Sequence, residues 1–307
     1  MAKIFVSGLI NTETTVRVRQ FPVEYYPIDY PFFGVGTAVS GVAYNIALAM
    51  KTLGNEVRFF TMTGSDFPAS YIRHELEAAG IGTEDLRQNL RETPSSVVLY
   101  DGEGRRQIYC DLKDIQETDY GFDGNSCADA DIVVACNINF NRPLLRQAKE
   151  AGKRIATDVH VLGDIQDGYN REFMECADIL FLSDEAVGED YRGFLAALAN
   201  TYSNSIIVLG RGSRGAAMYL RDEDRIFELP AASVGPVVNT VGAGDALFSG
   251  FLHFLSRGHD PLEALIRAEL FAAYKIGTSG ASKGFCTEET VEQLYRLHGQ
   301  RLKENMR

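Results

Sequence analysis

Between residues 41 and 80 the chain switches hydrophobic period from helix to strand and back, and each switch is punctuated. "GVAYNIALAMKTLG" (41–54) puts Ala43, Ile46, Met50 and Leu53 on one helical face and stops at Gly54. "EVRFFTM" (56–62) has the β-branched and aromatic content of a strand. "GSDFPASYIRHELEAAG" (64–80) restarts a helix, with Asp66 as cap, Pro68 in the first turn and Gly80 as stop. Helices alternating with strands return the chain so that successive strands run parallel, a rhythm that points to the α/β class.

The same rhythm resumes downstream. "DIVVAC" (131–136), "RIATDV" (154–159), "DILFL" (178–182) and "SIIVL" (205–209) read as strands, with helices over Pro143–Ala151 and near 186–199. Further helices are expected over about 243–257, 261–277 and 287–298. This pattern predicts a doubly wound, mostly parallel sheet with helices on both faces and ligands at the carboxyl ends of the strands. Two segments break it. Residues 11–33 alternate like strands and carry three prolines, while "SSVVLYDGEGRRQIYCD" (95–111) has a hairpin pattern around Asp101-Gly102. Such pieces are too short for a second core. They are expected to form a small β lid from 11–33 and 93–112, over an α/β core of 1–10, 34–92 and 113–307.

Composition removes several function classes. With 45% hydrophobic and 23% charged residues the chain is globular, and no apolar run approaches the length of a membrane span. "MAKIFVSGLI" passes into polar residues without a cleavage signal, so a cytoplasmic location is expected. Five scattered cysteines without a C-x-x-C pair argue against a disulfide framework or a zinc site. A net charge of −12 argues against nucleic acid and anionic membrane as partners.

Two glycine-rich loops remain. "GRGSRG" (210–215) matches a dinucleotide pattern, but "AAMYLRDEDRIFELP" after it is a hairpin with its turn at 221–224, so no helix starts there to hold a pyrophosphate. The signature motifs of protein kinases and the P-loop are absent. "NTVGAGDALFSG" (239–250) is different, because a helix with Ala246, Phe248 or Ser249, Leu252 and Leu255 begins at its glycines. Amides of Gly242, Ala243 and Gly244 at that mouth suit an anion, and Asp245 offers a carboxylate to take a proton from an attacking hydroxyl.

At this point the chain resembles the PfkB-type, ribokinase-like family of small-molecule kinases along nearly its whole length. The family's D-T-x-G-A-G-D motif stands here as Asn239 to Asp245. Its glycine-rich amino-terminal motif is similar to Ser40-Gly41-Val42-Ala43-Tyr44-Asn45 followed by Leu53-Gly54, and "VSGLINTE" (6–13) resembles its first strand exit, with Glu13 at the acidic place. The resemblance implies ATP as donor with Mg²⁺, and a sugar or nucleoside hydroxymethyl group as acceptor. It implies Asp245 as general base, Gly242, Ala243 and Gly244 as anion hole, and Asn11, Glu13, Gly41 and Asn45 as acceptor contacts. Gly212, Ser213, Arg214 and Gly215 match its nucleotide loop.

Several positions depart from the family pattern. The expected N-x-x-E is Ser183-Asp184-Glu185-Ala186, so the metal ligands stay unassigned, with Asp184 and Glu185 as the nearby acids. Asn239 replaces an Asp that helps hold a monovalent ion in cation-activated members, which argues against that activation. Ser40 replaces a glycine, and Tyr44 puts a ring beside the acceptor motif. Of the other polar residues, His160 is expected on the ligand side, Arg105 and Arg106 are expected to solvate the lid, and Lys283 receives no role. Tyr26, Tyr30, Phe32 and Phe33 are candidates for stacking on a base, which keeps a nucleoside kinase open beside a sugar kinase. A catalytically silent sugar- or nucleotide-binding regulator is the reading from another class, and an oxidoreductase using "GRGSRG" is the weakest. Exposed lid edges leave a homodimer through the lid open.

Overall fold

The computed structural model describes residues 1–307. The chain opens with β1 (Lys3–Ser7), β2 (Asn11–Arg17) and β3 (Val35–Ser40), then alternates α1 (Val42–Thr52), β4 (Glu56–Met62), α2 (Phe67–Ala78) and the short β5 (Leu86–Arg87). After β6 (Ser95–Tyr100) and β7 (Arg106–Asp111) the alternation resumes with β8 (Ile132–Ala135), α3 (Arg142–Glu150), β9 (Arg154–Val161), α4 (Arg171–Cys176) and β10 (Ile179–Ser183). It continues through α5 (Tyr191–Thr201) and β11 (Ile206–Gly210) to a hairpin, β12 (Ala216–Leu220) and β13 (Arg225–Leu229). Three helices close the chain: α6 (Ala243–Ser256), α7 (Pro261–Lys275) and α8 (Glu288–Glu304).

Local chemistry sets these boundaries. α1 ends where the N–H groups of Gly54 and Asn55 turn back to the carbonyls of Lys51 (3.0 Å) and Met50 (3.1 Å), satisfying the helix's last acceptors. Asp66 caps α2 by accepting the N–H of Ala69 at 3.1 Å. No helix is long and apolar enough to cross a membrane.

Nine strands form one sheet in the order β13-β12-β11-β10-β9-β8-β1-β4-β5, parallel from β11 to β5 and antiparallel across the hairpin. Val6 of β1 lies between Phe59 of β4 and Val134 of β8. Alternate residues divide between the two faces: Ile4, Val6, Ile179 and Phe181 meet α1, α2, α6, α7 and α8, while Phe5, Leu180 and Leu182 meet α3, α4 and α5. This is the doubly wound α/β fold. Strand order runs away from β1 in both directions, so the topological switch lies between β1 and β8, where such sheets open a crevice at their carboxyl ends. Phe248 and Phe251 of α6 pin that helix to Phe181 with ring centroids 4.9 and 5.4 Å away. Each such buried side chain contributes roughly 1.5–3 kcal/mol.

A second sheet, in the order β3-β2-β6-β7, stands at the carboxyl end of β1, because the chain passes through buried Ile10 directly into β2. Its composition differs from the sequence reading. Residues 18–34 hold no strand, since Pro22, Pro27 and Pro31 cannot donate to a ladder, and Val35–Ser40 joins the small sheet rather than the core by pairing antiparallel with β2. The helix expected from 186 is also shorter: residues 184–186 make a single 3₁₀ turn and α5 starts only at Tyr191, capped by Asp190. α4 has no counterpart in the periodicity reading, because six residues are too few to show a helical repeat.

Candidate active site

The passage from β1 to β2, the start of α1 and the start of α6 converge at the switch point. Asn11, 3% exposed, donates its amide to Ser96 Oγ at 2.9 Å, and its buried Oδ1 has no partner in the protein. Ser40 is buried opposite Asn11 across the β2–β3 ladder. Burial pushes the Glu13 carboxyl above its ordinary value, while Ser40 and the charge of Lys275 pull the other way. Gly41 begins α1 at φ 112, where an added Cβ would lie 2.6 Å from Leu9 O, so its first duty is to let α1 start against the β1–β2 passage.

Asn45 links this group to the other end of the chain. Its Nδ2 donates to Asp245 Oδ2 at 2.7 Å across 200 residues of sequence, and its buried Oδ1 is without a partner. Asp245 stands in the first turn of α6, where burial pushes its carboxyl up to about 6. The Asn45 hydrogen bond and the charges of His160 and Lys275 favour the ionised form, and Asp158 opposes it. Gly242 precedes the helix at φ 78, and a Cβ there would meet Ala281 O at 2.5 Å.

The amides at this mouth differ in part from the sequence reading. The Ala243 N–H donates to Thr240 O at 3.2 Å and closes a turn, so it is not free for an anion. The N–H groups of Gly242, Gly244 and Asp245 itself meet no protein acceptor.

Two cationic neighbours went unassigned in the sequence. His160, at the end of β9 with φ 57, donates its N–H to Asp158 Oδ1 at 2.8 Å and holds Nδ1 3.5 Å from Asp158 Oδ2. Burial works against its charge, but the Asp158 carboxylate overrides this and raises the imidazole to about 9, with Asp245 adding to the effect. Lys275, at the end of α7 and fully buried, donates to Val241 O and to Gly280 O (2.9 Å). The only sequence signal for it was a lysine inside the apolar run "LFAAYKIG", ordinarily a surface position. Tyr44 turns away from the acceptor group: it is buried in the core against α2, where burial followed by Glu75 and Tyr71 pushes its hydroxyl up to about 12.

Gly212, Ser213 and Arg214 form a one-turn 3₁₀ helix between β11 and β12, with Gly215 closing it. Arg211 and Arg214 both pair with Asp184, the former at 3.7 Å, and Arg211 stacks on the Tyr191 ring at 3.7 Å. Asp184 thus faces two guanidinium groups, while Glu185 is exposed. No group of three His, Cys, Asp or Glu side chains is arranged to hold a metal. A cavity of about 470 Å³ opens beside this loop, lined in part by Arg211, Arg214, Pro230, Ser233, His298 and Arg301, and its lining stops short of Asp245. Arg105 is held by Asp101 (2.8 Å) and Glu103 (3.1 Å) within the small sheet's own hairpin. Tyr30, Phe32 and Phe33 are exposed, as is Lys283.

A doubly wound sheet with a glycine-rich helix mouth and a half-buried carboxylate at its switch point defines a ribokinase-like α/β phosphotransferase. The model of the pfkB family carbohydrate kinases matches residues 1–288, and the chain belongs to that family. It is 25% identical over 276 residues to the fructosamine kinase of Bacillus subtilis strain 168, covering 87% of this chain and 92% of that protein. To the acarbose 7(IV)-phosphotransferase of an Actinoplanes species it is 25% identical over 273 residues, covering 86% of this chain and 88% of that protein. The structure of a microbiome-derived acarbose kinase superposes with a TM-score of 0.85 at 27% identity, covering 96% of this chain and 99% of that one. A Methanocaldococcus jannaschii nucleoside kinase shares the fold with a TM-score of 0.78 at 20% identity. The chain is thus a carbohydrate kinase, transferring phosphate from ATP to a hydroxyl of a small sugar-like molecule.

Proposed function

We propose that this chain phosphorylates a hydroxymethyl group of a sugar or sugar-like polyol, with Asp245 as general base. The observation that carries the reading is the Asn45–Asp245 bridge, which holds the carboxylate in the same helix mouth as the unpaired amides of Gly242 and Gly244. Asp245 accepts the acceptor's hydroxyl proton, that oxygen bonds to the γ-phosphorus, and the bond to the β–γ bridging oxygen breaks, leaving ADP. Charge growing on the transferred oxygens faces the amides of Gly242, Gly244 and Asp245. Asn11 Oδ1 and Asn45 Oδ1 need donors, which the hydroxyls of a polyol supply, and Glu13 adds a third acceptor.

The cavity beside Gly212–Gly215 is within the size range of nucleotide pockets, and its arginines suit a polyphosphate. Mg²⁺ would enter with ATP, held mainly by phosphate and water oxygens with at most one or two protein carboxylates, and no step is assigned to it. The small sheet stands where a cover over the acceptor belongs, and its exposed edge strand β7, with Ile108 and Tyr109 at 52% and 54% exposure, supports pairing with a second copy. A sugar acceptor is favoured over a nucleoside, since no aromatic side chain of the 18–34 segment is buried with Asn11 and Asn45.

Measuring ADP release across a panel of sugars, amino sugars and nucleosides tests the reading. Sugar-dependent release that Asp245→Asn abolishes is the expected result. Ligand-induced thermal stabilisation with no ADP from any acceptor would overturn it in favour of a silent binder.

A further inference from the structure

Lys275 carries an ammonium group into the interior of the fold. Its side chain is fully buried, it makes no ion pair, and its hydrogen-bond acceptors are two backbone carbonyls, Val241 O and Gly280 O. An ammonium group in an interior is costly unless its charge is used. Burial lowers its pKa to about 8, and the carboxylates of Asp245 and Glu13 hold it up, so it remains largely protonated at neutral pH.

The two carbonyls belong to the loops that frame the helix mouth. In a trans peptide the C=O of one residue and the N–H of the next point in opposite directions. With Val241 O fixed on Lys275, the Gly242 N–H is turned the other way, and it meets no protein acceptor. The Val241 N–H is held in turn by Asn239 Oδ1 at 2.8 Å, so the peptides around Val241 are clamped from both ends. Gly280 carries the second carbonyl, and its neighbour Ala281 packs so closely on Gly242 that a Cβ there would lie 2.5 Å from Ala281 O. One ammonium therefore staples the 239–245 loop to the 280–281 loop.

We propose that Lys275 is a built-in monovalent cation, a positioning residue that aims the Gly242 amide at the migrating phosphoryl group and makes turnover independent of free potassium. The inference rests on the phosphoryl-transfer reading above. Its chemistry is general: ammonium and potassium are cations of similar size, and both are satisfied by clustered backbone carbonyls. A site already filled by a tethered ammonium leaves no room for a second cation.

The test compares the wild-type enzyme with Lys275→Ala and Lys275→Met, reading ADP release in potassium, sodium and tetramethylammonium chloride at equal ionic strength. Wild-type kcat is expected to agree within about twofold in all three, whereas potassium activation of the wild type would overturn the proposal. Lys275→Ala should lose about 10²-fold in kcat, the order seen when an oxyanion donor is lost. Potassium, ammonium or methylammonium should restore it through kcat and not through the acceptor KM. Lys275→Met, which fills the space without charge, should stay inactive whatever salt is added. Full activity of folded Lys275→Met, or no rescue of folded Lys275→Ala, would also overturn it. Should neither variant fold, the wild-type salt comparison decides alone. No ADP from the wild type with any acceptor would instead sink the kinase reading itself.

Discussion

Replacing Asp245 by Asn removes the proposed base while leaving its shape and an oxygen for the Asn45 amide, now 2.7 Å away. Burial places the wild-type carboxyl at about 6, so at pH 7 roughly nine molecules in ten carry the base in its active form. Turnover should accordingly fall tenfold per pH unit below about 6, and Asp245→Asn should lose about 10²- to 10⁴-fold in kcat at pH 7, with little change in either KM. Stability should move the opposite way. A carboxyl raised in the folded state from 3.8 to about 6 opposes folding above pH 6, and that opposition fades as pH falls from 6 towards 4. The shift corresponds to at most about 3 kcal/mol, less where solvent reaches the group, so Asp245→Asn should melt higher than wild type at pH 8 and nearly equal to it at pH 4. Coupled ADP-release assays and thermal melts at those pH values measure both effects. A variant within tenfold of wild-type turnover, or one melting lower at pH 8, would refute the assignment of a base whose pKa is raised by desolvation.

Asn45→Ala removes the hydrogen bond that favours the Asp245 carboxylate, so the acid limb of the pH–rate profile should move above pH 6; an unmoved limb would separate the two residues functionally. Gly242→Ala drives a Cβ against Ala281 O at a positive φ, and should cost both thermal stability and kcat, measured by melting and initial rates. Asn11→Ala and Glu13→Gln should each raise the acceptor KM about tenfold, the loss of one hydrogen bond to a polar ligand, without changing the KM for ATP. A change confined to ATP would place them elsewhere.

Much of the framework is legible in the chain itself. Periodicities of Ala43, Ile46, Met50 and Leu53, the stops at Gly54 and Gly80 and the cap at Asp66 are local events, decided within a turn or two of helix. So was the carboxylate of Asp245 at a helix mouth, because both its glycines and the apolar face that follows lie within a dozen residues. The small sheet was legible only in part, since a run such as Val35–Ser40 reads equally well as core or cover until its pairing partner is known.

Tertiary structure decided the remainder, and every case involves groups far apart in sequence. Asp184 and Arg211 meet only because β10 and β11 are neighbours, which gives a candidate metal ligand a cationic neighbour. Tyr44 faces α2 because of how α1 lies on the sheet, whereas its place in the 40–45 motif alone set it beside the acceptor. The Asn45–Asp245 contact and the Lys275 clamp join α1, α6 and α7 across the crevice. Hydrophobic period tells a segment which of its own faces to bury; it carries no information about which distant side chain will be waiting there, and a pKa depends on that neighbour and on burial together.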